Sequence, residues 1–189
     1  MSGRMSSARR GFADPGREKD DFYRTPPVVT RDLIMRERTN IPAKVWEPAC
    51  GDGAISKVLA DDGWQVVSTD LVDRGFGEAR RDFLMEGKAL ADGIVTNPPF
   101  KLADAFIQHA IALRVPYVAI FQRLAWLEGA KRRDVLYRPH PPARVYVFSQ
   151  RVTLWRGDEE SPGKGGAIPF AWFVWDREYP GDSTKLYWI

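Results

Sequence analysis

Short apolar runs alternate with stretches of helical periodicity along most of this chain, and this alternation restricts the possible folds more than any other feature. The predicted strands cover residues 45–47, 64–69, 79–81, 93–96, 115–121, 145–148 and 170–175. The predicted helices cover residues 54–62, 84–91, 101–114 and 126–137. Strands that alternate with helices form a mostly parallel sheet with helices on both faces. Because no helix fits between the last two of the seven strands, we predict a doubly wound α/β fold with one antiparallel strand near the C-terminus.

The composition is typical of one packed globular domain. The chain has 189 residues, of which 44% are hydrophobic, and no apolar stretch is long enough to cross a membrane. It has no apolar secretory signal, and Cys50 is its single cysteine, so we expect a cytoplasmic protein without an intrachain disulfide. Residues 1–19 are basic and contain few apolar side chains. We therefore predict a disordered basic leader over residues 1–19 and one domain over residues 20–189.

The turn after the first predicted strand has the composition of a nucleoside-binding site. It reads Glu47-Pro48-Ala49-Cys50-Gly51-Asp52-Gly53, and its two glycines let the backbone approach a ligand closely, although such glycines also occur in plain turns. Asp70 ends the next strand about twenty residues later, where an acid binds ribose hydroxyls. Ser56 stands where a pyrophosphate-binding turn has its third glycine, which disfavours NAD. The sequence therefore predicts a nucleoside cofactor of another kind.

A second candidate site follows the strand at residues 93–96, where the chain reads Asn97-Pro98-Pro99-Phe100. Each proline disfavours helical backbone in the residue before it, so the segment is expected to be extended. The Asn97 side-chain oxygen and the Pro98 carbonyl would then accept two hydrogen bonds from one planar amino group, and Phe100 would stack on a flat ring. The alternative is an ordinary proline-containing turn.

Taken together, these motifs resemble those of class I S-adenosylmethionine-dependent methyltransferases that act on amino groups. More narrowly, Phe22-Tyr23-X-Thr25-Pro26 and the aromatic segment at residues 170–176 resemble the phage and prophage DNA adenine-N6 methyltransferases. The resemblance covers residues 20–189 and implies a Rossmann-like domain with S-adenosylmethionine as the cofactor. From the length of 189 residues we expect no separate target-recognition domain, and we expect no metal, because no histidine, cysteine and acid cluster offers one a site.

The resemblance assigns a role to each candidate residue. It implies that Tyr23, Thr25 and Pro26 lie against the methionine end of the cofactor, which the turn at residues 47–53 wraps. It implies that Asp70 binds the ribose hydroxyls. The further implied contacts are Asp82 with the amino group of the cofactor's adenine, Phe83 with its ring, and the catalytic residues Asn97, Pro98, Pro99 and Phe100 with the target base. As alternatives, Tyr23 and Phe83 are core aromatics, and Asp70 and Asp82 cap helices.

The expected reaction is methylation of the N6 amino group of adenine in DNA, on a flipped or single-stranded base. The net charge of +3 and the pI near 9.1 permit such a partner. The candidate DNA contacts are the basic leader, Lys131-Arg132-Arg133 and the segment at residues 150–166. Two enzymatic alternatives are methylation of an RNA guanine N2 and of a protein glutamine amide. A non-catalytic nucleic-acid-binding scaffold on the same fold is the third alternative.

Overall fold

A computed structural model describes residues 22–156 and 168–189 of the chain, so the predicted leader lies outside the described residues. The strands are β1 (Tyr23–Arg24), β2 (Lys44–Glu47), β3 (Gln65–Ser68), β4 (Gly93–Thr96), β5 (Tyr117–Arg123), β6 (Arg144–Val147), β7 (Trp155–Arg156), β8 (Phe170–Asp176) and β9 (Lys185–Trp188). The helices are α1 (Pro27–Glu37), α2 (Ala54–Asp61), α3 (Ala103–Ala112) and the short α4 (Ala130–Arg132).

Seven strands form one sheet in the order β3-β2-β4-β5-β8-β6-β9. β2 pairs in parallel with β3 and β4, and β4 pairs in parallel with β5. β8 is antiparallel to both of its neighbours, β5 and β6, while β9 is parallel to β6. The prediction of a mostly parallel, seven-stranded sheet with one antiparallel strand near the C-terminus is therefore confirmed. β1 and β7 form a separate antiparallel pair.

The seventh strand of the sheet is not the one that the sequence suggested. The predicted strand at residues 79–81 is wrong: these residues form no strand, and Arg80 has a positive φ of 61°. An L-residue in that conformation interrupts an extended strand. An isolated bridge between Thr69 and Glu78 precedes these residues. β9 takes the seventh place, at the edge of the sheet beside β6.

Two predicted helices are shorter than expected, and α1 was not predicted. The segment predicted as a helix over residues 84–91 contains only a 3₁₀ turn at Phe83–Met85. The helix predicted over residues 126–137 is interrupted at Gly129, whose φ of 120° is incompatible with a helix. A 3₁₀ turn precedes that glycine, and α4 and a π turn follow it. α1 begins at Pro27, a favoured residue type in the first helical turn because it needs no hydrogen-bond donor there.

Hydrophobic cores lie on both faces of the sheet. One includes Val29 and Leu33 of α1 and Ile55 and Leu59 of α2. The other includes residues of α3 such as Ile107, which is fully buried. Because β2, β3 and β4 are parallel, their carboxyl ends lie at the same edge of the sheet. Helices on both faces leave that edge open. Within residues 22–156 and 168–189, no helix has both the length and the apolar character of a membrane span.

Candidate active site

A cavity of about 490 Å³ opens at the edge where β2, β3 and β4 end. Its volume lies in the range typical of small-molecule sites. The predicted site residues that line it are Tyr23, Thr25, Glu47, Pro48, Ala49, Cys50, Gly51, Asp52, Asp70, Asp82, Phe83, Asn97 and Pro99. Pro26, Gly53, Pro98 and Phe100 were also predicted and are not among the lining residues. The two motifs predicted separately therefore border one cavity.

The glycines of the turn after β2 make room for aromatic rings of this chain. Gly51 has a φ of +56°, and a Cβ built there would lie 2.4 Å from the ring of Phe22. Gly53 has a φ of +84°, and its Cβ would lie 2.6 Å from the ring of Phe76. Both glycines are thus required by backbone conformation and by a close neighbour. Besides the close approach of a ligand that the sequence predicts here, these glycines make room for the rings of Phe22 and Phe76.

Glu47 is buried at the base of the cavity, where it joins the turn to α2. Its Oε2 accepts a hydrogen bond of 2.7 Å from the backbone N–H of Ser56 and another from the Ser56 hydroxyl. Burial raises the pKa of Glu47 well above its ordinary value, against the effect of these hydrogen bonds. The serine that replaces the third glycine of a pyrophosphate-binding turn is therefore the partner of this carboxyl group.

Asp70 connects the same turn to the loop after β3. Its Oδ2 accepts a hydrogen bond of 2.8 Å from the Gly51 N–H, and its Oδ1 accepts one of 2.8 Å from the Val72 N–H. Each carboxylate oxygen can accept a further hydrogen bond, so this geometry leaves room for ribose hydroxyls. The next residue, Leu71, lines the cavity and is 61% exposed. An exposed leucine beside the predicted ribose acid offers an apolar surface to a flat ring.

Asp82 and Phe83 line the cavity and also contact other residues of the chain. Asp82 Oδ1 accepts a 3.0 Å hydrogen bond from the Leu84 N–H and so caps the 3₁₀ turn, as the alternative interpretation held. Phe83 is only 2% exposed, and its ring packs edge-on against Trp46 with centroids 5.1 Å apart. Phe106 contacts the same ring at 4.7 Å. Both Asp82 and Phe83 nevertheless line the cavity.

Cys50 lies at the cavity wall and is only 3% exposed. Burial, together with the nearby Glu47 and Asp70 carboxyl groups, raises the pKa of its thiol to about 12. A thiol with a raised pKa is a poor nucleophile at neutral pH, because the reactive form is the thiolate. The Cys50 thiol also contacts the Phe76 carbonyl at 3.6 Å, which links the turn to the loop after β3.

Asn97 follows β4 directly, and hydrogen bonds fix its side chain. Its Nδ2 donates to the Thr25 hydroxyl at 3.1 Å and to the Tyr23 carbonyl at 3.3 Å. Its Oδ1 is buried and accepts no hydrogen bond from any described residue. The tetrapeptide therefore holds a buried side-chain acceptor, Asn97 Oδ1, that is available to a donor group.

The ring of Phe100 is already in contact with other side chains. Tyr23 stacks on it with centroids 5.7 Å apart and an interplanar angle of 18°. The guanidinium of Arg123, at the end of β5, lies 4.6 Å from the centroid of the same ring. Arg123 Nε is buried without a hydrogen-bond partner in the described part of the chain. A target base can stack directly on a face of Phe100 that is in contact with Tyr23 or Arg123 only if that side chain moves.

The segment before α1 contributes more to the cavity than its motif suggested. Arg24 Nε lies 2.5 Å from Asp52 Oδ2, which connects β1 to the turn after β2. Arg74, which also lines the cavity, places its guanidinium 4.3 Å from the centroid of the Phe22 ring. Arg24 and Arg74 were not predicted as site residues, because an isolated arginine in a polar segment carries no pattern. Pairing of β1 with β7, residues 23–24 with 155–156, holds this segment in place.

The basic cluster Lys131-Arg132-Arg133 is partly engaged in contacts within the protein. Arg132 forms an ion pair of 2.6 Å with Asp104 and donates hydrogen bonds to two backbone carbonyls. Arg133 pairs with the adjacent Asp134. Of the cluster, Lys131 is left as an exposed cation without an ion pair to a described residue. The segment at residues 150–166 lies outside the described residues from position 157 onward.

The cavity is lined by both polar and apolar side chains. Asp52 Oδ1 and Asn97 Oδ1 are buried acceptors without a partner among the described residues, and the lining also contains apolar side chains such as Leu71 and Leu102. Among the described residues, no group of three or more histidine, cysteine or acidic side chains is placed to hold a metal. Mixed polar and apolar linings are typical of organic ligands.

Solved structures of methyltransferases share this fold. A type I restriction-modification methyltransferase subunit from Streptococcus thermophilus matches with a TM-score of 0.63 and 13% identity, over 88% of this chain and 47% of that one. A candidate RNA methyltransferase from Pyrococcus horikoshii matches with a TM-score of 0.62 and 16% identity, over 88% of this chain and 91% of that one. Magnesium protoporphyrin IX methyltransferase from Synechocystis, solved with bound S-adenosylmethionine, matches with a TM-score of 0.52 and 16% identity, over 79% of both chains.

The chain spans about half the length of the type I subunit. No protein-family model matches the sequence, and no curated protein matches it. At these identities the likeness establishes the fold, which is the Rossmann-like fold of the class I methyltransferases.

Proposed function

We propose that this protein is an S-adenosylmethionine-dependent methyltransferase that modifies the N6 amino group of adenine in DNA. The carrying observation is the placement of the free Asn97 Oδ1 at the same cavity as Asp70 and the turn at residues 47–53. The motifs that resemble phage and prophage enzymes, residues 22–26 and 170–176, support adenine in DNA over other amino groups. The methyltransferase fold supports the reaction class.

The cofactor is proposed to lie against three segments: the turn after β2, the loop after β3, and the loop that follows residues 79–81. Asp70 would accept hydrogen bonds from ribose hydroxyls, and the second oxygen of Asp82 would accept one from the adenine amino group. When bound, S-adenosylmethionine supplies an electrophilic methyl group on a sulfonium centre. The residues of this chain therefore need only bind, orient and exclude water.

The target amino group is proposed to donate its two hydrogens to Asn97 Oδ1 and the Pro98 carbonyl. An exocyclic amino nitrogen is a weak nucleophile while its lone pair is delocalised into the ring. Two acceptors oppose that delocalisation by favouring positive charge on the nitrogen as the new C–N bond forms. The same contacts hold the nitrogen in line with the methyl group. After transfer the surplus proton passes from the nitrogen to water, so the site needs no strong base for this step.

A label-transfer experiment tests the substrate class. The purified chain is incubated with methyl-labelled S-adenosylmethionine and, separately, with single-stranded DNA, duplex DNA, RNA and protein. We expect label in DNA that contains adenine and none in matched DNA with inosine in place of adenine, since inosine lacks the amino group. Label only in RNA or protein would refute the DNA assignment in favour of a guanine N2 or glutamine amide substrate. Cofactor binding without transfer to any substrate would favour a scaffold.

Two variants complete that experiment. Asn97→Ala removes the side-chain acceptor and should reduce turnover by about a hundredfold, the scale for one positioned group at a centre where charge develops. Asn40→Ala is the matched control, because Asn40 follows the C-terminal end of α1, is not among the residues that line the cavity, and donates to Glu37 instead. Equal activity of the wild type and Asn97→Ala would contradict the role proposed for the tetrapeptide.

A further inference from the structure

The orientation of the Asn97 amide is determined by the segment that precedes α1. Asn97 Nδ2 donates to the Tyr23 carbonyl at 3.3 Å and to the Thr25 hydroxyl at 3.1 Å. A carbonyl oxygen can only accept, so the amide nitrogen, not the amide oxygen, faces Tyr23. Because nitrogen and oxygen stand on opposite sides of the amide, Oδ1 is directed away from both partners.

The consequence is a buried acceptor held ready for a donor. Asn97 Oδ1 is buried and accepts no hydrogen bond from a described residue, which is costly unless a ligand compensates. Thr25 is 3% exposed, so its hydroxyl has little freedom to move to another partner. β1, which contains Tyr23, is held by its pairing with β7. These contacts leave the Asn97 side chain one favourable orientation.

We propose that Thr25 is a positioning residue that, together with the Tyr23 carbonyl, sets the polarity of the Asn97 amide for the target amino group. This inference rests on the proposed function for its catalytic consequence, and it differs from the cofactor contact that the family resemblance assigns to Thr25. In the reverse orientation, Nδ2 would face the target amino group, and two donors would then oppose each other. One of the two acceptors needed for transfer would be lost.

Thr25→Val tests the inference because valine keeps the branched shape and lacks the hydroxyl. Thr25→Ser is the matched control, since serine restores the acceptor. With Thr25→Val, we expect the single-turnover transfer rate at saturating S-adenosylmethionine to fall about tenfold, the effect of one lost hydrogen bond. Thr25→Ser should recover most of the rate. The dissociation constant for S-adenosylmethionine should change less than about threefold in both variants.

A second readout does not require methyl transfer. Asn40 and Asn97 are the only asparagines of the chain, so selective ¹⁵N-asparagine labelling gives two side-chain NH₂ groups in an NMR spectrum. Asn97→Ser identifies the signals of Asn97. Their exchange with solvent should be about fivefold faster in Thr25→Val than in the wild type, because one hydrogen bond is lost. The Asn40 signals should be unchanged.

The outcomes separate the inference from the proposed function. Unchanged Asn97 exchange in Thr25→Val would overturn the inference whatever the enzyme methylates. Faster exchange with an unchanged transfer rate would overturn its catalytic part. Weaker cofactor binding with a normal rate at saturation would instead make Thr25 a cofactor contact. If the wild type transfers no label to any substrate, the proposed function fails, while the NMR measurement still decides how the amide is held.

Discussion

Replacing Asp70 with alanine removes a carboxylate that joins two loops of the cavity, and the cost can be estimated from its contacts. Asp70 accepts two hydrogen bonds of 2.8 Å, from the Gly51 and Val72 N–H groups. Hydrogen bonds to charged groups contribute about 1.5–3 kcal/mol each, but bonds to one carboxylate are not additive. We take about 3 kcal/mol for the pair. For a domain of this size, that corresponds to a Tm lower by about 6–12 °C.

The assay is thermal unfolding of the chain without cofactor, so that only the structural contribution is measured. Asp73→Ala is the matched control, because Asp73 lies in the same loop and its Oδ1 accepts one exposed hydrogen bond from Gly75. It should lower the free energy of unfolding by less than about 1 kcal/mol. Calorimetric titration of Asp70→Ala with S-adenosylmethionine should then show weaker binding. An unchanged Tm together with unchanged affinity would refute the reasoning for Asp70.

Three further predictions concern stability. Burial raises the pKa of Glu47 well above 4.5, so folding favours the neutral form of this acid. The free energy of unfolding of the wild type should therefore fall as the pH rises from about 4.5 towards the raised pKa. Glu47→Gln should flatten this slope in urea titrations, and an identical pH profile would contradict it. Gly53→Ala should cost about 1–2 kcal/mol of backbone strain plus a clash with an aromatic ring 2.6 Å away. Gly63→Ala, which meets no atom within 4 Å, is its control and should have the smaller effect on the Tm. Arg144→Met should lower the free energy of unfolding in urea by about 3–5 kcal/mol, because the fully buried Glu37 loses the guanidinium that lies 2.6 Å away. A decrease below about 1 kcal/mol would contradict this prediction.

The sequence predicted the central strands because burial leaves a pattern. β4 and β8 read as continuous apolar or aromatic runs, and the structure buries them on both faces. β9 was missed because its four residues are all exposed, so pairing with β6 rather than burial stabilises it. α1 was missed because the prolines and β-branched residues at its start favour extended backbone. Packing of Val29 and Leu33 in the core overrides that local preference.

Residue types indicated several of the residues that border the cavity, whereas the contacts between residues distant in the sequence were not predicted. The turn at residues 47–53, Asp70 and Asn97 border one cavity, as strand ends of a parallel sheet should. The sequence does not show that Thr25 and the Tyr23 carbonyl hold Asn97, because 72 and 74 positions separate these partners along the chain. Long-range contacts of this kind arise only from the fold.

Nucleoside analysis by mass spectrometry tests the central claim most directly. DNA incubated with the purified chain and S-adenosylmethionine is digested and its nucleosides are compared with those from a reaction of Asn97→Ala. We predict N6-methyldeoxyadenosine from the wild type, reduced by about a hundredfold with Asn97→Ala. A methylated nucleoside other than N6-methyldeoxyadenosine, or equal amounts from both proteins, would contradict the account of how this cavity acts.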